Sequence, residues 1–213
     1  MDPPGHFGVA FAVKPLAPRA PLWALLLASE ALDMLCFGFA AAGIENMDVS
    51  ESSLAHGVRV LTTPSLAWSH GLFMSLVWSA LAAGLAWIAW RDRRASALIG
   101  LVVFSHWLLD FLVHPRYLPL FFAGSPALGL GLWGSGPGII AAAVLEIGLF
   151  VGGVVIYLAW RKENERNCNL ETIVPRRRAG RPARRPRFSP QHRRGGLTLY
   201  RHGGDSGQRG GMV

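Results

Sequence analysis

Four apolar runs, Pro21 to Ile44, Ser65 to Trp90, Ala95 to Val113 and Pro137 to Trp160, divide the first 160 residues of the chain. Each is long enough to cross a hydrocarbon core of ~30 Å as a helix. The pattern predicts an all-α fold, an integral membrane four-helix bundle with spans at about 21–44, 65–90, 95–113 and 137–160. Trp23, Trp68, Trp87, Trp90, Trp133 and Trp160 lie near the ends of these spans, where an amphipathic ring prefers the headgroup layer. An earlier run, His6 to Leu16, is too short to span, so residues 1–20 are expected to form an interfacial helix or a re-entrant segment. Asp2, Pro3 and Pro4 and the short run that follows lack the form of a secretory signal.

Beyond Trp160 the pattern changes abruptly. Residues 161–213 begin with the charged flank Arg161 to Arg166 and continue, from Pro175, as arginine, glycine and proline with few large apolar side chains. Such a segment cannot bury enough surface to offset its ordering entropy, and a basic disordered tail is expected. Its charge would attract anionic lipid or nucleic acid without specificity, and composition alone gives it no further function.

Composition agrees with a membrane class: 51% of the 213 residues are hydrophobic. The net charge of +8 conceals two parts. Residues 1–160 hold seven Lys/Arg against nine Asp/Glu, a net −2, and the tail holds fourteen against four, a net +10. Lys14 and Arg19, then Arg91, Arg93 and Arg94, and then the tail all fall on one side of the predicted spans, whereas the opposite loops carry only Arg59 and Arg116. The positive-inside rule places both termini in the cytoplasm. Cys36 and Cys168 have neither disulfide nor zinc-ligand spacing.

The runs are interrupted by ionisable residues, and these carry the chemistry. His106, Asp110 and His114 recur every fourth position and form one helical stripe. Charge within a span is costly unless paired, hydrated or bound to a cation. At 1.5 Å per residue, Asp33 lies ~18 Å, His106 ~16 Å, Asp110 ~22 Å, His70 ~23 Å and Glu146 ~16 Å from the inner surface. Five ionisable side chains from four spans thus share one depth, with Glu30 a turn from Asp33 and His114 near the outer mouth. Two explanations fit equally. Imidazole and carboxylate suit zinc or another first-row divalent ion, and the same groups could hydrogen-bond across the bundle and fix its register.

Smaller signals each have a plain reading beside the functional one. His70, within Ser69-His70-Gly71, is either presented to a site with Gly71 permitting close approach or is a helix-end histidine in the headgroup layer. Glu146 is a ligand, a proton carrier or a carboxyl kept neutral by desolvation. Gly148 and Gly152 form a small-xxx-small pair suited to helix packing. Gly129, Gly131 and Gly134 match a dinucleotide-binding spacing, but no strand precedes them. His192 and His202 are expected to be solvated.

Gly5-His6, Ser29-Glu30-Ala-Leu-Asp33, Pro64, Ser69-His70-Gly71, and Ser105-His106-Trp-Leu-Leu-Asp110 with His114 together resemble the bacterial inner-membrane proteins of the YdjM-like group. These are labelled membrane-bound metal-dependent hydrolases, and some relatives permeases. The resemblance covers most of residues 5 to 160. It implies a multi-pass protein of the bacterial inner membrane and a divalent-metal site, with zinc the expected ion. The matching polar set is His6, Asp33, His70, His106, Asp110 and His114. One position departs: the group's Arg-Pro-Asp-Leu-Pro run reads Pro115-Arg116-Tyr117-Leu118-Pro119 here, so Tyr117 replaces an acidic residue. The resulting expectation is a hydrolase acting on a lipid-like substrate, with Glu30 or Glu146 as general base. The rivals are a small permease or proton-coupled transporter using the same residues, for which a homo-oligomer is expected, and a structural membrane protein.

Overall fold

The computed structural model describes residues 1–46, 66–122 and 124–173. The predicted disorder of residues 174–213, together with Pro64, Arg59, His192 and His202, lies outside them. Helices dominate: α1 (Pro3–Val13), α2 (Leu22–Ser29), α3 (Ala31–Ala41), α4 (Leu72–Trp90), α5 (Arg93–Val113) and α6 (Gly136–Ile173). A two-residue antiparallel pair, β1 (Leu118–Pro119) and β2 (Ala127–Leu128), lies in the α5–α6 connection. Among the described residues, α4, α5 and the Gly136–Cys168 part of α6 are long and apolar enough to cross a membrane, and α2 with α3 forms a fourth candidate if the bent pair is one span.

Helix α5 is the central element. Its buried face includes Ile99, Val102, Val103, His106, Trp107 and Asp110, and α1, α2, α3 and α4 all pack on it. Arg91, in the left-handed region at φ 52°, and Asp92 make a tight turn from α4. Asp92 caps α5 by accepting the Ala95 N–H at 3.0 Å, and this bond holds its carboxyl below the usual range. Pro119 sits on an isolated two-stranded ribbon, where its missing N–H is tolerated.

Three boundaries differ from the sequence expectation, each for a local reason. The first run is not one helix. It breaks at Glu30, whose φ of −106° and ψ of 5° are not helical, and α3 leaves α2 at 54°. The second run becomes helical only at Leu72, because Leu66 to Gly71 forms a turn held by the Glu45 carboxylate, which accepts from the Trp68 and Ser69 N–H groups at 2.8 and 2.9 Å. His70 therefore sits on a turn. The fourth helix does not end at Trp160 but continues to Ile173. Its first turns hold Arg161, Lys162, Glu163, Glu165 and Arg166, good helix formers, and Arg161 pairs with Glu165 one turn on at 2.9 Å.

Helix α1 packs along α6 and against α2 and α5, and its Gly5, His6, Gly8 and Ala10 are buried. Its closest approach is at Gly8, which meets the backbone of Leu149 and Phe150, while Gly153 meets the backbone of Gly8. A side chain at either position would collide with a carbonyl. Gly148 and Gly152, the pair with packing spacing, face open space instead. Gly129 and Gly131 fold the connection back onto the end of α5, where the Gly131 N–H donates to the His114 carbonyl at 2.8 Å. Both have positive φ, and this turn accounts for a spacing that looked like a nucleotide fingerprint.

Candidate metal centre

Each element delivers one part of the site. The first turn of α3 carries Asp33, the turn before α4 carries His70, and the buried stripe of α5 carries His106 and Asp110. His106 and Asp110 are 0% and 2% exposed. One ligand atom from each of these four residues lies within 4.8 Å of all the others. His70 Nε2 is 3.3 Å from Asp33 Oδ1, 3.4 Å from Asp110 Oδ2 and 3.4 Å from His106 Nε2. His106 Nε2 is 3.5 Å from Asp33 Oδ1 and 3.3 Å from Asp110 Oδ2. A tetrahedral ion bound at 2.0–2.2 Å separates its ligand atoms by ~3.4 Å. All five of these distances match that edge.

Hydrogen bonds on the far sides of the rings fix which nitrogen faces inward. His106 Nδ1–H donates to the Ser29 carbonyl at 2.6 Å, a bond made at the break between α2 and α3. The Ser69 hydroxyl donates to Glu45 Oε2 at 2.6 Å, so its oxygen accepts from His70 Nδ1–H at 2.8 Å. The Trp107 indole N–H donates to the His70 carbonyl at 2.8 Å and anchors the turn. In the neutral rings both Nε2 atoms then turn lone pairs toward two carboxylate oxygens. A divalent ion between these four atoms would satisfy all of them, as would protonated imidazoles paired with the two carboxylates.

The remaining predicted residues fall in different places. His6 and His114 adjoin the cluster on the other oxygen of Asp110, at 3.5 and 3.4 Å from Oδ1. His6 also stacks on His106, with ring centroids 3.8 Å apart and planes 6° apart. Glu30 lines a cavity of about 270 Å³ shared by Asp33, His70, Asp110 and His114, and its Oε1 is buried without a hydrogen-bond partner. Glu146 does not line that cavity; it lies against the first turn of α1, beside Asp2 and Gly5. Tyr117 hydrogen-bonds His114 Nδ1, and burial raises its phenol above the usual range.

Glu45 and Ser69 are the residues that sequence reading missed as functional. Glu45 reads as one acidic residue of a loop, and its bond to Ser69 spans 24 positions. The adjacent Ser69-His70 pair was the available signal.

Comparison of the chain with protein-family models, with curated proteins and with solved structures finds no match.

Proposed function

We propose that the chain is an integral membrane metal-dependent hydrolase, in keeping with its resemblance to the YdjM-like group, with a divalent ion held by Asp33, His70, His106 and Asp110. The carrying observation is the set of five ligand-atom distances between 3.3 and 3.5 Å, which fit a tetrahedral N/O shell. Such a donor set favours zinc. The ion would supply Lewis acidity to the reacting centre. Glu30 is the proton acceptor of this reading, because its unpartnered oxygen lies on the same cavity.

The substrate class follows from the surroundings. Met34 and Phe37 line the cavity yet are 57% and 55% exposed, so its mouth is apolar. Met34 also lines an adjoining apolar groove of about 800 Å³ between α2, α3, α4 and α5, bounded by Trp23, Leu27, Leu81 and Leu85. A lipid-like molecule would lie with its chain in the groove and its polar bond at the cavity. Exposed Ile140, Val144, Ile147, Leu85 and Ile88 support placement in a bilayer, and the arginine pattern supports the bacterial inner membrane with cytoplasmic termini.

The test is metal content, by elemental mass spectrometry on the detergent-purified chain. Bound zinc or manganese is expected, and His106→Ala and Asp110→Ala should lose it. Glu30→Gln should keep the metal and lower hydrolysis of lipid-like esters or phosphate esters by about 10²–10⁴-fold. Metal retained in His106→Ala would overturn the site assignment.

The break at Glu30 favours a second reading, transport. Interrupted helices with ionisable residues at the break are the device by which many transporters bind ions. Proton-dependent uptake into vesicles, with no hydrolysis under any metal, would select it.

A further inference from the structure

The groove beside the cavity exists because of small side chains. Helices α2 and α4 both pack on α5, and the groove is the gap between them, with Ile99 and Val103 of α5 as its floor. Ala24 and Ala28 of α2 and Ala86 of α4 are buried along its sides, where larger residues would fill it. Leu27, Leu81 and Leu85 are exposed and form its rims.

Its two ends differ. At one end Met34 lines both the groove and the metal cavity, and Phe39 of the same helix meets Trp78 at 6.2 Å between ring centroids. At the other, Trp23 of α2 and Trp90 of α4 cross the gap edge to face, their centroids 6.2 Å apart. On α4 the lining residues Trp78, Leu81, Ala82, Leu85, Ala89 and Trp90 recur at intervals of three and four and form one stripe. From Trp78 to Trp90 that stripe runs about 18 Å at 1.5 Å per residue.

We propose that the groove is a length gauge for one apolar chain of a membrane lipid, open at the metal cavity and stopped by the Trp23–Trp90 pair. The proposal rests on the hydrolase reading above and adds what limits its substrate. The occupant is identified by length and phase. A hydrocarbon core of ~30 Å leaves about 15 Å of chain to each leaflet, close to the length of the stripe. The exposed leucine rims face the surroundings in which such chains already lie. Each methylene seated between the alanines adds van der Waals contacts until the tryptophans are reached, and further methylenes add none.

Photolabelling of the detergent-purified full chain tests this, with alkyl phosphates that carry a terminal diazirine and peptide mass spectrometry to locate the label. An eight-carbon probe is expected to label near Leu27 and Leu85, and a fourteen-carbon probe near Trp23 and Trp90. Ala89→Phe narrows the far end from an exposed position and should cut fourteen-carbon labelling by about 10-fold or more, with eight-carbon labelling and bound metal unchanged. Trp90→Ala should admit an eighteen-carbon probe that the wild type excludes. Label spread equally over the exposed face of α6 at Val144 and Ile147, or a fourteen-carbon signal unchanged in Ala89→Phe, overturns the gauge, and bound metal in the same sample leaves the hydrolase reading standing. Length-graded labelling of a chain that binds no metal supports the gauge and removes the hydrolase reading instead.

Discussion

At the scale of single residues, the cluster depends on groups that never touch its centre. Ser69 passes the Glu45 carboxylate's hold on to His70, and without it Nδ1 is free to carry or lose its proton and the ring is free to turn. Ser69→Ala is expected to weaken metal binding by about 10–100-fold while the fold persists, read by competition with a chromogenic chelator. Unchanged affinity would reduce the Glu45–Ser69 pair to a structural cap. Much of the inner set was legible from sequence, because Asp33, His106 and Asp110 share a depth that rise per residue alone gives. Depth is one coordinate, however, and direction around the helix axis is another. Glu146 has the right depth but lies against the first turn of α1 and does not line the cavity, which spacing from a helix end cannot reveal. Glu45 was hidden for the complementary reason: it acts through the turn at Ser69, and no periodicity links the two.

At the scale of elements, long apolar runs announced the helices, and the breaks within and between them went unannounced. No proline or glycine marks the interruption at Glu30, and apolar residues resume on both sides of it. The crossing of α1 and α6 was equally unreadable, since Gly8 and Gly153 are far apart in sequence and only their backbones meet. Gly153→Val should push α1 from α6 and destabilise the protein by about 1–3 kcal/mol, seen as a lower thermal midpoint in detergent. Gly148→Val, facing open space, should leave the midpoint in place. Equal losses from both substitutions would argue that valine in this helix, and not the crossing, is the cause.

At the scale of the whole molecule, the described residues place charge inside and large apolar side chains outside as well as in the core. Ionisable groups gather at the centre, and Leu, Ile and Val cover the outside of α4 and α6. Val144 is 66% exposed on that outer face. If the face meets lipid, Val144→Arg adds about 2.5–3.5 kcal/mol to the cost of inserting the helix and lowers the inserted fraction measured by glycosylation mapping. An unchanged fraction would place this face against water or protein. The helical class was legible because apolar length and a helical period are both written in single residues. The path of the chain through the assembly was not, since it is set by contacts between distant segments.

The bend at Glu30 ties these scales together. Asp33 and the mouth residues Met34 and Phe37 ride on α3, while the Ser29 carbonyl that steers His106 belongs to α2. One joint thus separates two contributors to the same shell. Opening or flattening its 54° angle would carry Asp33 away from His70 and His106, so grip on an ion and the tilt of a short helix become a single mechanical variable. A lipid wedged against α3 would work that lever from outside.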